Sequence, residues 1–279
     1  MVDKPAGPTS HDVVAAARRC LDQPRIGHAG TLDPPATGVL LLGVGGFTRM
    51  LRFLTDLPKR YTGEVILGST TSTLDDTGET TARFAMEGVT LADARAAAAA
   101  LTGEIEQTPP MVSAVRVEGR RLHDLARAGI EVDREPRPVT VHRFAVDADP
   151  EPGVLRITVE CSSGTYVRSL ADDLGRALGG GAHLRRLRRT AIGSFGEHDA
   201  APVEEAVLLD PAEALRDRER IVVEEPLAAR VGHGAVLALD ELAPSGPPPW
   251  VVLDGAGRVL AVYEASGGRA KPAVVVAEP

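Results

Sequence analysis

Apolar positions along the chain follow two periods. Short apolar runs or alternations bounded by glycine, proline and polar turn residues occupy 39–42, 61–67, 139–145 and 154–161, which predicts strands, the last two paired. Helical spacing appears in Val13, Val14 and Ala17 behind Ser10, a candidate N-cap, and in the alanine-rich stretch 90–101 behind Thr90. Phe53, Leu54 and Leu57 suit a short amphipathic helix, and a further helix should start at Arg168 and close at Gly179-Gly180-Gly181. Residues 70–81 read as a polar hairpin or loop with Asp75, Asp76 and Gly78 as turn residues. Beyond residue 201 the character changes: 202–225 is acidic and partly helical. The segments 231–239, 250–253, 259–263 and 273–277 then look like short strands split by Gly and Pro, a small all-β unit.

Residues 27–43 combine both kinds of pattern. The first half, Gly27 to Pro35, cannot continue a helix or a central strand because of its glycines and prolines; the second half is an apolar run. Asp33 therefore stands where a Gly-rich loop feeds a core element, and Pro34 biases it towards an extended backbone. An Asp before Pro is often only a turn former, so the residue gains a chemical reading from its surroundings.

Composition widens the range of partners. The chain of 279 residues, 43% apolar, suffices for one large domain or a large and a small one. Net charge is -8, yet residues 1–196 carry 24 Lys+Arg against 24 Asp+Glu, and residues 197–279 carry 7 against 15. The acidic excess lies at the C-terminal end, so the first part can present a basic face to RNA. Candidates are Arg49, Arg52, Lys59 and Arg60; Arg116, Arg120, Arg121 and Arg127 around His123; and Arg185, Arg186, Arg188 and Arg189, which read equally as a solvated face or a phosphate-tracking one. Cys20 and Cys161 have no metal-ligand or disulfide spacing, and no apolar run approaches 18 residues, so a cytoplasmic protein without a membrane partner is expected.

The motifs carry a resemblance. GHAGTLDPPATGVL at 27–40, DKPAGPTS at 3–10, KRYTGEVILG at 59–68, QTPPMVSA at 107–114 and CSSGTYVRSLADDLG at 161–175 together resemble the TruB family of tRNA pseudouridine synthases, from residue 3 to about 195. Members of that family carry a further apolar strand ahead of the first motif, which here is nearly absent. The resemblance implies an α+β pseudouridine synthase fold: a mixed, mostly antiparallel sheet flanked by helices around a central cleft, over residues 1–222, with an RNA-clamping insertion at about 105–140. Residues 223–279 would be a PUA-like unit, by place and pattern.

The implied reaction converts uridine 55 in the tRNA T arm to pseudouridine. The N1–C1′ bond breaks, the uracil turns, and it rejoins through C5, an isomerisation that calls for no cofactor or metal. The target base must flip out of its loop. The resemblance makes Asp33 the catalytic carboxylate, paired with Arg168, and puts Tyr61 over the base. His28 fills the vacated space, Tyr166 offers a hydroxyl, and Leu187 packs by the base. Arg49, Gly27 and Thr31 complete the substrate-binding set, with the first motif buttressing the loop. A charge-assisted pair keeps a carboxylate anionic and positioned in a closed site. Attack at C1′, attack at C6 and removal of a sugar proton all stay open, as does the base for the C5 proton. The expected partner is the tRNA T stem-loop, with no protein partner and a monomeric state. A tRNA-folding protein on the same scaffold would not need Asp33, Tyr61 and Arg168 together. A phosphate hydrolase would need an acid cluster, which the adjacent Asp172 and Asp173 do not form on one helix face.

Overall fold

The structure is a computed structural model that describes residues 1–276 except 114, 118 and 131; the side chains of 116, 117, 121, 123, 126 and 127 also lie outside the description. The expectations for Ala114, for the side chains of Arg116, Arg121, His123 and Arg127, and for position 277 fall on these residues.

The main sheet runs in the order Val2–Lys4, Thr37–Leu40, Ala182–Ile192, Lys59–Leu67, Val154–Cys161, Arg137–Ala148, Gly103–Gln107, with Phe195–Gly196 folding back on Ala182–Ile192. Only the pairing of Ala182–Ile192 with Thr37–Leu40 is parallel, so the sheet is mixed and mostly antiparallel, as expected. Helices Leu91–Ala100 and Val167–Ala177 cover one face. The second presents Val167, Leu170, Ala171 and Leu174, spaced i, i+3, i+4, i+7, to Val65, Val159 and Leu184. Leu170 and Leu174 are wholly buried, each side chain contributing about 1.5–3 kcal/mol. Gly175 lets the helix lie on the strand that follows: a Cβ there would sit 2.3 Å from the Ala182 nitrogen.

Several local expectations change. The cap of helix Ser10–Cys20 is Thr9, whose hydroxyl accepts from the Asp12 N–H while the Asp12 carboxylate accepts from the Thr9 N–H, a capping box. Ser10 is freed to turn inwards. Of the expected strand 231–239 only Leu237–Ala238 is strand, its start being the end of helix Leu227–Gly232; Ala228 and Val231 bury one helical face, and a short apolar run does not separate the two periods. Residues 70–81 do form a hairpin, pairing Ser69–Thr71 with Thr80–Arg83.

A second sheet, ordered Glu219–Val222, Trp250–Leu253, Val259–Ser266, Arg269–Val275, Leu237–Ala238, closes the chain; it starts at Glu219, ahead of the expected boundary at 223. Its Val251, Leu253, Val262 and Val274 share one apolar cluster with Met50, Phe53, Leu57 and Phe195, so the two sheets have a common core. Arginines expected on a solvated or RNA-facing helix reach across this junction: Arg49 Nη2 donates to the Val275 carbonyl (3.1 Å), and Arg52 pairs with Glu264 (3.2 Å). No helix among the described residues is long and apolar enough to cross a membrane.

Candidate active site

Asp33 sits on the loop between strands Ile26–His28 and Thr37–Leu40, and the first motif holds that loop from below. Lys4, fully buried, donates from Nζ to the carbonyls of Pro5 (2.9 Å), Pro34 (3.0 Å) and Ala36 (2.7 Å). Burial pushes its ammonium down to about 8, against the opposing pull of Asp33. The Ser10 hydroxyl donates to the Leu32 carbonyl (3.1 Å) and accepts from the Leu32 N–H (2.9 Å), and Gly7 N–H donates to Pro34 (2.9 Å). Strapped at Leu32, Pro34 and Ala36, the loop leaves the Asp33 backbone little freedom.

Arg168 meets this loop from the first turn of helix Val167–Ala177. Its Nη2 lies 2.9 Å from Asp33 Oδ2, and the arginine side chain is 4% exposed against 39% for the aspartate. The cation is hidden while the carboxylate remains open to a ligand. All three nitrogens of the fork are engaged: Nη1 on the Thr73 carbonyl (2.9 Å), Nη2 also on Val112 (2.8 Å), and Nε 3.7 Å from Asp75 Oδ2. Asp75, which the sequence suggests only as a turn residue, is buried. Its Oδ1 accepts from the Thr73 hydroxyl (2.6 Å), the Thr77 hydroxyl (2.5 Å) and the Thr77 N–H (3.0 Å), leaving Oδ2 for Arg168. Asp33, Arg168 and Asp75 thus form one chain of charge, negative at both ends.

Asp33, Arg168, Asp75 and Leu187 line a cavity of about 20 Å³, room for a water rather than a nucleobase. A larger cavity of about 370 Å³ lies elsewhere, between Leu41, Phe47, Leu54 and Leu209, and has no titratable side chain to do chemistry. Tyr61 is 8% exposed and faces the core; burial raises its phenol, and the nearby Arg189 charge counters that in part. Tyr166 caps helix Val167–Ala177 and is half-buried, its backbone gripped by Gln107, which accepts from its N–H (2.7 Å) and donates to its carbonyl (3.1 Å).

His28 stands edge-on to His11, ring centroids 5.4 Å apart. Burial first, then the His11 and Arg189 charges, hold its imidazole below the ordinary value, and its Nδ1 is enclosed without a partner. His28 and Gly27 border an open hollow with Arg18, Arg25 and Thr48. Thr31 is exposed, and Arg49, exposed and bonded to Val275, borders neither hollow nor cavity.

The arginine run 185–189 is mostly not a phosphate-tracking face. Arg185 pairs with Glu64 and Glu151 (both 2.6 Å), and Arg188 with Asp3 (2.9 Å) and Glu197 (2.6 Å). Arg186 pairs with Glu64 (3.0 Å), and Arg189 is 1% exposed. Among the described residues no three His, Cys, Asp or Glu side chains group as a metal site.

Comparison with known proteins adds to this geometry. A family model described as the N-terminal domain of TruB family pseudouridylate synthases matches residues 18–167, and one for the C-terminal domain of tRNA pseudouridylate synthase B matches 168–222. Proteins named tRNA pseudouridine synthase B from Thermobifida fusca (44% identity, 99% of this chain, 97% of that protein) and Symbiobacterium thermophilum (49% identity, 85% and 81%) are similar in sequence. Among solved structures, an H/ACA RNP bound to a substrate RNA containing 2′-deoxyuridine is similar over 100% of this chain and 84% of that one (25% identity, TM-score 0.73). A Cbf5-Nop10-Gar1 complex is similar over 100% and 83% (27% identity, TM-score 0.73).

Proposed function

The chain belongs to the TruB family of pseudouridylate synthases, and from that footing we propose that it isomerises uridine 55 in the T arm of tRNA to pseudouridine, with Asp33 as the reacting carboxylate. The observation that supports this reading most is the pair of Asp33 and Arg168 at 2.9 Å, with the guanidinium hidden and the carboxylate open.

In the reaction the N1–C1′ bond breaks and a C5–C1′ bond forms; the C5 proton leaves and N1 gains one. Asp33 begins it from a fixed position, by adding at C1′ or C6 or by taking a sugar proton. Preorganisation is the protein's contribution: the loop is strapped before substrate arrives, so little reorganisation accompanies the chemical step. Tyr61 lies against the flipped uracil, Leu187 packs on its edge, and Tyr166 offers its hydroxyl. His28, uncharged at neutral pH, takes the place that the base leaves. Gly27 and Thr31 line the approach, and Arg49 keeps N–H groups for an RNA phosphate beyond the one given to Val275. The site cavity is too small for the base, so the segment around Val112, bonded to Arg168, gives way as RNA enters. Residues 223–279 serve as the PUA-like unit, whose acidic balance favours packing on the catalytic part over a strong hold on RNA. The protein acts on tRNA as a cytoplasmic monomer.

The test is chemical mapping of pseudouridine in an unmodified tRNA transcript after incubation with the full chain. One modified nucleotide, at position 55, is expected; no product, or product only elsewhere, overturns the reading.

A further inference from the structure

Several of the arginines that the sequence offers to RNA are neutralised in the fold. Arg52 pairs with Glu264, Arg60 with Glu160, and Arg185, Arg186 and Arg188 with Glu64, Glu151, Asp3 and Glu197. Arg18 and Arg25 are different. Both are exposed, and among the described residues neither meets a carboxylate. They stand together on the open hollow that Gly27 and His28 border, with Thr48 and Leu51, and no acid lines it. At about 590 Å³ the hollow admits a stretch of RNA strand, which the space of about 20 Å³ beside Asp33 does not.

The local structure presents both guanidiniums here. Arg18 lies in the last turn of helix Ser10–Cys20, and its Nη2 donates to the Ile26 carbonyl (2.9 Å). That bond fixes the fork against strand Ile26–His28 and leaves Nε and Nη1 for another acceptor. Arg25 follows Pro24. Its N–H donates to the Gln23 side chain (3.0 Å) and its carbonyl accepts from the Gly45 N–H (2.7 Å), so the backbone is held and the guanidinium is not. Gly27 keeps the floor open: a Cβ there would lie 3.1 Å from Leu51 Cδ1. A cation in the last turn of a helix can serve the helix dipole alone. That accounts neither for the reach of Arg18 to Ile26 nor for Arg25, which belongs to no helix.

We propose that Arg18 and Arg25 form a two-phosphate seat for the T-loop strand of tRNA, one guanidinium to each of the linkages that flank the flipped uridine. A planar fork suits a phosphate because two N–H groups meet two of its oxygens. His28 ties the seat to the flipped base: it takes the place that the base leaves, and it borders the hollow. Contacts of this kind set register and orientation and carry no base preference. The proposal rests on the reading that the chain acts on uridine 55 with His28 in that place.

The test is filter binding of an unmodified tRNA transcript to the full chain across a range of salt. Each phosphate contact contributes about 0.7–0.9 to the slope of log affinity against log salt. Arg18→Gln and Arg25→Gln should each lower the slope by that amount, a loss of about five- to eightfold at about 0.1 M salt that closes by about 1 M. Single-turnover pseudouridine formation at saturating tRNA should stay within about twofold. Arg25→Lys keeps the charge and should keep the slope. Arg95→Gln removes an exposed arginine already paired with Asp147 and should leave the slope alone. A T stem-loop RNA with one neutral methylphosphonate then locates the seat. At one linkage flanking uridine 55, Arg25→Gln should cost under about twofold, and at the other Arg18→Gln should do the same. An unchanged slope in Arg18→Gln or in Arg25→Gln, an equal drop in Arg95→Gln, or a full loss on both neutral linkages would overturn the proposal. A wild type that makes no pseudouridine would count against the function; an active wild type with unchanged slopes in the variants would count against the seat alone.

Discussion

Replacing Arg168 by lysine keeps the charge and removes the fork. The guanidinium reaches Asp33, Thr73, Val112 and Asp75 from three nitrogens pointing in different directions. A lysine ammonium is a single point with three donors, and it cannot serve Asp33, Asp75 and the backbone carbonyls in the directions the planar fork does. The directed bond that orients Asp33 is the one lost. A hydrogen bond to a charged group is worth about 1.5–3 kcal/mol, so the chemical step should slow by about 10- to 150-fold from this contact alone. Binding should not suffer, because the side chain is 4% exposed and cannot touch an RNA phosphate. The assay is single-turnover release of tritium from a transcript labelled at uridine C5, run beside filter binding. A rate within about threefold of wild type, or a loss that lies wholly in tRNA affinity, would refute the argument that the fork holds Asp33 in place.

Other expectations follow from the same geometry. Asp75→Asn must give its amide oxygen to the two threonines, which turns an NH2 towards Arg168 Nε; the single-turnover rate should fall about tenfold or more with affinity unchanged. Gly38→Ala would put a Cβ 2.2 Å from the Arg189 carbonyl at φ +106, and urea unfolding should show a loss of about 4 kcal/mol or more. Gly103→Ala, at φ +105 with nothing within 4 Å, should cost only the backbone strain of about 1–3 kcal/mol. Burial and then the neighbouring Asp172 push Asp173 up to about 6, so the folded chain holds this proton more tightly than the unfolded one. That contribution is full below the ordinary carboxylate range and fades as pH rises through 6. The Tm advantage of Asp173→Asn over wild type should therefore grow between pH 5 and pH 7, by about the same mechanism that governs any raised acid.

The pairing of Asp33 with Arg168, residues far apart in the chain, was legible only through the family resemblance of the two motifs; by its own context Arg168 reads as a surface arginine. Asp75 was not: its sequence context is that of a turn, and only the packing of the hairpin against helix Val167–Ala177 gives it a second role. The arginine run was misread for a physical reason. A strand of period two would send Arg185, Leu187 and Arg189 to one face, but the register slips between Arg185 and Arg188, with Arg186 at φ 53. A bulge of this kind re-aims the side chains after it. It places Leu187 in the Asp33 cavity and Arg189 under the loop, and no composition rule signals that. Ser10 as a cap failed because Thr9, one residue earlier, satisfies the same rule and leaves Ser10 free for Leu32. At the C-terminal end, apolar runs of four or five residues do not distinguish helix from strand, so 231–239 came out as strand only at Leu237–Ala238 while 250–253 came out as a strand throughout.

The carboxylate of Asp33 can be tested alone with Asp33→Asn, which preserves shape and removes the charge. Gel shift of an unmodified tRNA transcript and single-turnover pseudouridine formation should be measured on the same preparation. The account predicts an unchanged shift and no product; pseudouridine formed by the variant at the wild-type rate would contradict it.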